Sequence, residues 1–301
     1  MFLNLFFNSF KAGGSTVKDI IGTCHRFTMA SEAGVAEGHD QDTEVAIVRI
    51  GGNAAQGQEP SPFVNVDTTT VSGLQRAKAL GLAKSRLADV IVTPYIFDAN
   101  GLFDSTYKGR LFTVFRHPVD RAISLFNYLQ YADWEPTYSP ELANMSLEEY
   151  ARSPMVENNW MTRYLSNQIA GDLTDRNVQI AMDVVRRKFL VGLLTKKEET
   201  MERLEKYFGW KYTVNPENQE TCRQSLLGTG ANTNTNTEAK KEKPKPGDPA
   251  YDALAHQNNY DIMLYTYIET LFEEQRQFVQ AIPDGFRLEG ATCCKCGVPT
   301  C

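Results

Sequence analysis

No stretch of the 301 residues is apolar for long enough to cross a bilayer, which takes about 20 residues of helix. A basic excess is missing too. The net charge is −6, so the electrostatic footprint of a nucleic-acid partner is absent. Histidine is scarce, with four in the chain, and most positions are denied the commonest general base. Also absent is a GxxxxGK[ST] run, the phosphate loop of nucleotide kinases and related triphosphatases. What remains is 42% hydrophobic and 23% charged, the composition of a soluble globular chain long enough to bury a sizeable core. One domain over residues 1–285 is expected, with a cysteine-rich tail at 286–301.

The apolar opening "MFLNLFF" lacks the basic residues that begin a signal peptide and leads straight into a glycine-rich turn. It is expected to be a core strand at 2–7, and any membrane attachment would need an anchor that this chain does not show. Of the six cysteines, four crowd the last nine residues as "CCKCGVPTC". Closed zinc sites usually take two separated ligand pairs. A disulfide-bearing tail in an oxidising compartment is therefore favoured over zinc. No connectivity can be deduced.

Helix 1 follows the first turn, with Ser15 as its N-cap. Val17, Ile20, Ile21 and Cys24 share one face at i, i+3, i+4, i+7. Residues 43–50, "TEVAIVRI", read as a strand from their β-branched content. Residues 74–87 have helical composition, and 90–93 form a buried strand ended by Pro94. "RLFTVFRHPVDRAISLFNYLQYA" is a strand at 111–115 and then a helix. Pro118 sits in its first turn, where the missing N–H costs nothing. A short buried strand at 189–194 precedes a helix at 196–208, opened by a Thr195…Glu198 capping box and closed by Gly209. Residues 228–250 are polar and proline-rich and read as a loop without fixed structure. A long helix at about 252–280 turns Tyr260, Leu264, Tyr267 and Leu271 toward a core.

Strands alternating with helices imply an α/β fold with a mostly parallel sheet covered on both faces. Ligands of such sheets bind at the carboxyl ends of the strands, and two turns of the right chemistry fall there. In "KAGGST", Gly13 and Gly14 let the backbone approach an anion, and the N–H groups of Gly14, Ser15 and Thr16 open a helix toward it. Lys11, ahead of the glycines, reaches the anion from the strand side. The blander reading is an ordinary turn beside a surface lysine. In "FRHPVDRAISLF", Arg116 ends the strand with a guanidinium fork suited to phosphate. Ser124, eight residues on, offers a hydroxyl. The alternative gives Arg116 an acidic partner and leaves Ser124 to solvent. Two phosphate-suited turns on one sheet imply a ligand phosphorylated at two places.

Together these stretches resemble the binding loops of sulfotransferases that use 3'-phosphoadenosine 5'-phosphosulfate. The nearest group is the Golgi-type carbohydrate sulfotransferases, which include the heparan and uronyl 2-O-sulfotransferases. "NWMTRYL", "FLVGLLTKKEETMERLEKYFGW" and "NNYDIMLYTYIETLF" resemble further blocks of that family in matching order, over about two thirds of the chain. Phe10 stands where the family's first loop has proline. The resemblance implies a P-loop-NTPase-like sulfotransferase fold. It implies a carbohydrate acceptor, a Golgi membrane setting, and no metal, because a sulfuryl group carries less charge than a phosphoryl group. By the same match Lys11 stands at the oxygen bridging phosphate and sulfate, with Ala12, Gly13, Gly14, Ser15 and Thr16 around the 5'-phosphosulfate. Arg116 and Ser124 match the holders of the 3'-phosphate, and His117 and Pro118 match a structural link. Arg121 is either a more distant cation or, the favoured reading, part of a solvated face.

The chain departs from its apparent relatives at the general base. The 2-O-sulfotransferases carry a His-x-His run about twenty residues before the arginine of the second loop, and the matching "VTPYIFDAN" holds no histidine. Asp98 carries suitable chemistry, although a turn or helix cap is its blander role. Tyr95 is close by, but phenols, with an ordinary pKa of ~10, are weak bases at neutral pH. His25, His39 and His256 have weaker cases, His25 as a surface or packing residue. "NNWMTRYL" either lines an acceptor cleft, with Asn159 and Arg163 as polar contacts, or is an amphipathic helix packed through Trp160 and Tyr164. The sequence leaves two further functions open: an inactive relative that binds the nucleotide or a glycan, and, less favoured for want of the GxxxxGK[ST] run, a nucleotide or small-molecule kinase. One N-x-S sequon, at Asn144, fits a secretory route.

Overall fold

The computed structural model describes residues 2–9, 11–52, 59–133, 135, 137–210, 216–229 and 243–283. Seven strands form one sheet: β1 (Phe2–Phe7), β2 (Met29–Ala30), β3 (Ile47–Ile50), β4 (Ser61–Val64), β5 (Val90–Thr93), β6 (Lys108–Phe115) and β7 (Phe189–Leu193). Their spatial order is β3-β4-β2-β5-β1-β6-β7. Every pairing is parallel except β3 with β4 at the edge. The fold is therefore α/β, as the alternating pattern implied. β1 lies between β5 and β6, so the chain leaves it in one direction and later passes to its other side. A crevice at the carboxyl ends belongs at such a reversal of strand order. The register aligns those ends, pairing Phe7 with both Thr93 and Thr113, and Phe115 with Leu193.

Twelve α-helices are described: α1 (Gly14–Asp19), α2 (Val71–Ala79), α3 (Leu82–Ser85), α4 (Ile96–Ala99), α5 (Pro118–Leu129), α6 (Leu147–Arg152), α7 (Trp160–Ser166), α8 (Asp175–Lys188), α9 (Lys197–Phe208), α10 (Pro216–Thr229), α11 (Pro249–Gln257) and α12 (Asn259–Gln280). Side chains of β1 alternate between the two faces of the sheet, as the strand period requires. Leu3, Leu5 and Phe7 join one core cluster with residues of α2, α7, α8 and α12. Phe6 joins the opposite cluster with Val17, Ile20, Ile21 and Cys24, and with residues of α9. Helices α5, α6 and α11 pack into a third cluster around Phe126, Tyr150 and Leu254.

Several local expectations need correction. Helix α1 begins at Gly14, with Gly13 as N-cap at φ 88° and no side-chain cap. Ser15 is thus inside the first turn rather than its cap, because the chain needs a left-handed residue to turn from β1 into the helix. The helical stretch at 74–87 is two helices, broken where Gly81 adopts φ 75°. The strand at 43–50 is shorter, Ile47–Ile50. No Thr195…Glu198 capping box forms; residues 194–196 make a 3-10 turn and Lys196 precedes α9 without a side-chain cap. Gly209 closes α9 in the left-handed conformation as expected. The long C-terminal helix is divided at Asn258, and its buried face carries Asp261, Leu264, Tyr265, Ile268 and Leu271. Tyr260 and Tyr267 flank that face half-buried. The polar segment at 228–250 is helical at both margins, with 228–229 in α10 and 249–250 in α11. Phe10, residues 230–242 and the four cysteines of the tail lie outside the described residues. Among the described residues, no helix is long and apolar enough to cross a membrane.

Among the described residues, one disulfide joins two helical segments on the same side of the sheet. Cys24, on the core-facing side of the first helical segment, is disulfide-bonded to Cys222 of α10, 198 residues away. Sequence reading singles out neither Cys24 nor Cys222 for pairing.

Candidate functional site at the carboxyl ends of β1 and β6

The turn after β1 is held from three sides. The Asn8 N–H donates to the Thr93 carbonyl at 3.0 Å, and the Ala12 N–H to the Ser9 carbonyl at 3.1 Å. The Thr113 hydroxyl donates to the Phe7 carbonyl at 2.8 Å. Ala12 is buried. Gly13 needs glycine for its positive φ, and Gly14 for want of space: a Cβ there would fall 1.9 Å from Asn8 Oδ1. Backbone conformation at Gly13 and crowding by the Asn8 side chain at Gly14 therefore favour glycine at both places, before any anion is considered. Ser15 is exposed and Thr16 half-buried. The N–H groups of Gly14, Ser15 and Thr16 stand in the first turn of a helix, where no intrahelical carbonyl can receive them. Asn8 Oδ1 and Ser9 Oγ are buried beneath this turn without a hydrogen-bond partner.

The second turn meets the first. Arg116, directly after β6, donates from its guanidinium to the Lys11 carbonyl at 3.1 Å. It is half-buried, and burial pulls its pKa below the usual arginine range while Asp120 opposes the shift. Ser124 lies half-buried in the second turn of α5. Pro118 opens α5 as the sequence indicated. His117 packs its ring against Tyr265 and Tyr251, with centroids 5.4 Å and 6.4 Å away, which suits a structural link.

Lys11 has φ 62°, a left-handed conformation uncommon for a lysine. Its ammonium stands 2.9 Å from the centroid of the Tyr128 ring. Tyr128 in turn donates its hydroxyl to Glu135 Oε1 at 2.5 Å. Burial lowers the Lys11 pKa from 10.5 to about 8; the charge of Glu135 works against that shift and Arg116 adds to it. Tyr128 and Glu135 are thus site residues that sequence reading missed. Tyr128 looked like one more aromatic of an amphipathic helix, and Glu135 lies in an irregular segment with no motif.

The other expected residues divide. Asp98 is exposed on the short helix α4, and it is not among the charges that act on Lys11. Arg121, expected on a solvated face, is buried at 1% exposure. It pairs with Glu157 at 3.0 Å and stands 5.5 Å from the centroid of the Trp160 ring. Asn159 is a buried cross-link: its N–H and side chain bond Asn258 and Gln257, and its Oδ1 accepts from the N–H groups of Tyr260 and Asp261. His25 is buried, stacks on Phe27 and meets Glu205 at 3.2 Å, a packing role. His39 pairs with Asp42, and His256 is exposed.

"NNWMTRYL" does line a cleft of about 330 Å³, together with Glu157, Ile169 and Gly171. Trp160 and Tyr164 stack there at 4.2 Å, and Tyr95 lies 5.7 Å from Tyr164. Burial and the Tyr95 neighbour raise the Tyr164 pKa to about 12. Arg163 spends its guanidinium on Asn158 and on the carbonyls of Gln168 and Gly171, which holds the wall in place. No protein-family model matches the chain, and no curated protein matches it either.

Proposed function

We propose that the chain is a sulfotransferase with a P-loop-NTPase-like fold, moving the sulfuryl group of 3'-phosphoadenosine 5'-phosphosulfate to a carbohydrate hydroxyl. The observation that carries the reading is the Arg116–Lys11 bond, which makes the phosphate-suited turns after β1 and β6 one site. The first helical turn of α1 and Lys11 would hold the 5'-phosphosulfate, while Arg116 and Ser124 would hold the 3'-phosphate. The cleft walled by Trp160 and Tyr164 favours a sugar ring as acceptor, since aromatic walls with a few polar groups are how small ligands are oriented. The Cys24–Cys222 disulfide favours an oxidising lumen such as the Golgi.

Sulfuryl transfer needs in-line reactants, a stabilised leaving group and a proton acceptor. The acceptor oxygen forms a bond to sulfur as the bond from sulfur to the bridging oxygen breaks. The electron pair stays on that oxygen, where Lys11 meets the growing charge. Glu135, rather than Asp98, is proposed to take the hydroxyl proton, because it is the carboxylate whose charge reaches Lys11 and Tyr128 fixes its position.

The test is transfer from labelled donor to a panel of desulfated glycosaminoglycans, with calorimetry of adenosine 3',5'-bisphosphate binding. Binding and transfer are expected in the wild type, and binding without transfer in Glu135→Gln. Wild-type protein that binds the nucleotide yet transfers to no glycan would instead mark a binding-only relative. Absence of binding would end the sulfotransferase reading.

A further inference from the structure

We propose that Asn144 carries an N-linked oligosaccharide, and that the serine of its sequon works twice, first in recognition and then as a helix cap. Asn144-Met145-Ser146 is the only N-x-[ST] sequence in the 301 residues. Asn144 is exposed at the end of the 3-10 turn Pro140–Asn144. That turn is anchored beneath the surface by Leu142, 1% exposed. The Gln130 amide steadies it by donating to the carbonyls of Leu142 and Met145. An oligosaccharide on the Asn144 amide projects into solvent without disturbing these contacts. The second observation is independent: the Cys24–Cys222 disulfide belongs to the compartments in which N-glycans are added.

Ser146 sets the order of events. In the folded chain its hydroxyl accepts from the Glu149 N–H at 3.2 Å, and its own N–H donates to Glu149 Oε2 at 2.7 Å. This reciprocal box opens α6. A glycosyl-transferring enzyme that reads the sequon needs the same hydroxyl. Transfer must therefore precede the closing of the box, during or just after synthesis. In the step, the Asn144 amide nitrogen bonds the anomeric carbon of a polyprenyl-diphosphate-linked oligosaccharide. The carbon–oxygen bond to the diphosphate breaks, the diphosphate leaves with the electron pair, and the transferring enzyme takes the amide proton.

The experiment expresses the full chain behind a cleavable secretion leader in eukaryotic cells. Intact mass is read before and after peptide-N-glycosidase treatment, on cell lysate and medium together. One glycan is expected, removable by the glycosidase. Asn144→Gln should lose it. Ser146→Thr should keep both glycan and melting temperature, because threonine serves in the sequon and as a cap. Ser146→Ala should lose the glycan and melt lower. Glu149→Ala should melt lower yet remain glycosylated, which separates the two uses of the serine. A wild-type chain that forms the Cys24–Cys222 bond by non-reducing peptide mapping but carries no glycan overturns the proposal. So does a chain with neither, or a glycan that survives Asn144→Gln.

Discussion

The lowered pKa of Lys11 makes nucleotide binding a proton-linked event. In the free protein the amine titrates at about 8, because burial penalises its charged form more than Glu135 supports it. An anionic phosphate placed on the turn after β1 favours the charged form. The bound-state pKa should therefore rise, and binding should draw a proton from solvent between pH 8 and the higher bound value. From a free pKa of about 8, roughly 1% of the amine is charged at pH 10. If the complex stays protonated, affinity should fall by up to about a hundredfold from pH 7 to 10, or about 2.7 kcal/mol. Calorimetry of adenosine 3',5'-bisphosphate in buffers of different ionisation enthalpy reads the uptake directly. At pH 9 it should approach one proton. Glu135→Gln removes the group that raises the Lys11 pKa, so the fall should begin at lower pH. Lys11→Met should bind with no uptake and a flat profile. An unchanged slope in Lys11→Met, or no uptake by the wild type, would refute the assignment of Lys11 to the anion site.

Four further outcomes are expected. Arg116→Ala should weaken adenosine 3',5'-bisphosphate binding by about 1.5–3 kcal/mol, the scale of a charge-assisted hydrogen bond, while adenosine 5'-phosphate is affected less; calorimetry on both nucleotides checks this. Lys11→Ala should cut turnover at saturating donor about a hundredfold or more, over and above the loss of nucleotide affinity that the pH dependence implies, since leaving-group charge appears only as the bond breaks. Gly14→Ala should destabilise by roughly 1–3 kcal/mol in denaturant unfolding, because its Cβ would collide with Asn8. Replacing Cys24 and Cys222 together by serine should cost roughly 2–5 kcal/mol in the same assay, by freeing α10 from the first helical segment.

By itself the sequence determined what depends on near neighbours. Short apolar runs marked β1 and β5, Pro118 and Gly209 marked helix ends, and the i, i+3, i+4, i+7 spacing placed Val17, Ile20, Ile21 and Cys24 on the core side. Lys11 and Arg116 were legible as candidate anion ligands because each stands beside a turn whose chemistry is local. The tertiary structure decided what joins residues far apart. It chose Cys222 as the partner of Cys24, buried Arg121 against Glu157 and Trp160, and made Asn159 a cross-link to α12 rather than a wall of the cleft. It also set Glu135 and Tyr128 beside Lys11, over 100 residues of chain away. Such pairings depend on the order and register of parallel strands, and neither periodicity nor propensity encodes which distant turns the sheet brings together.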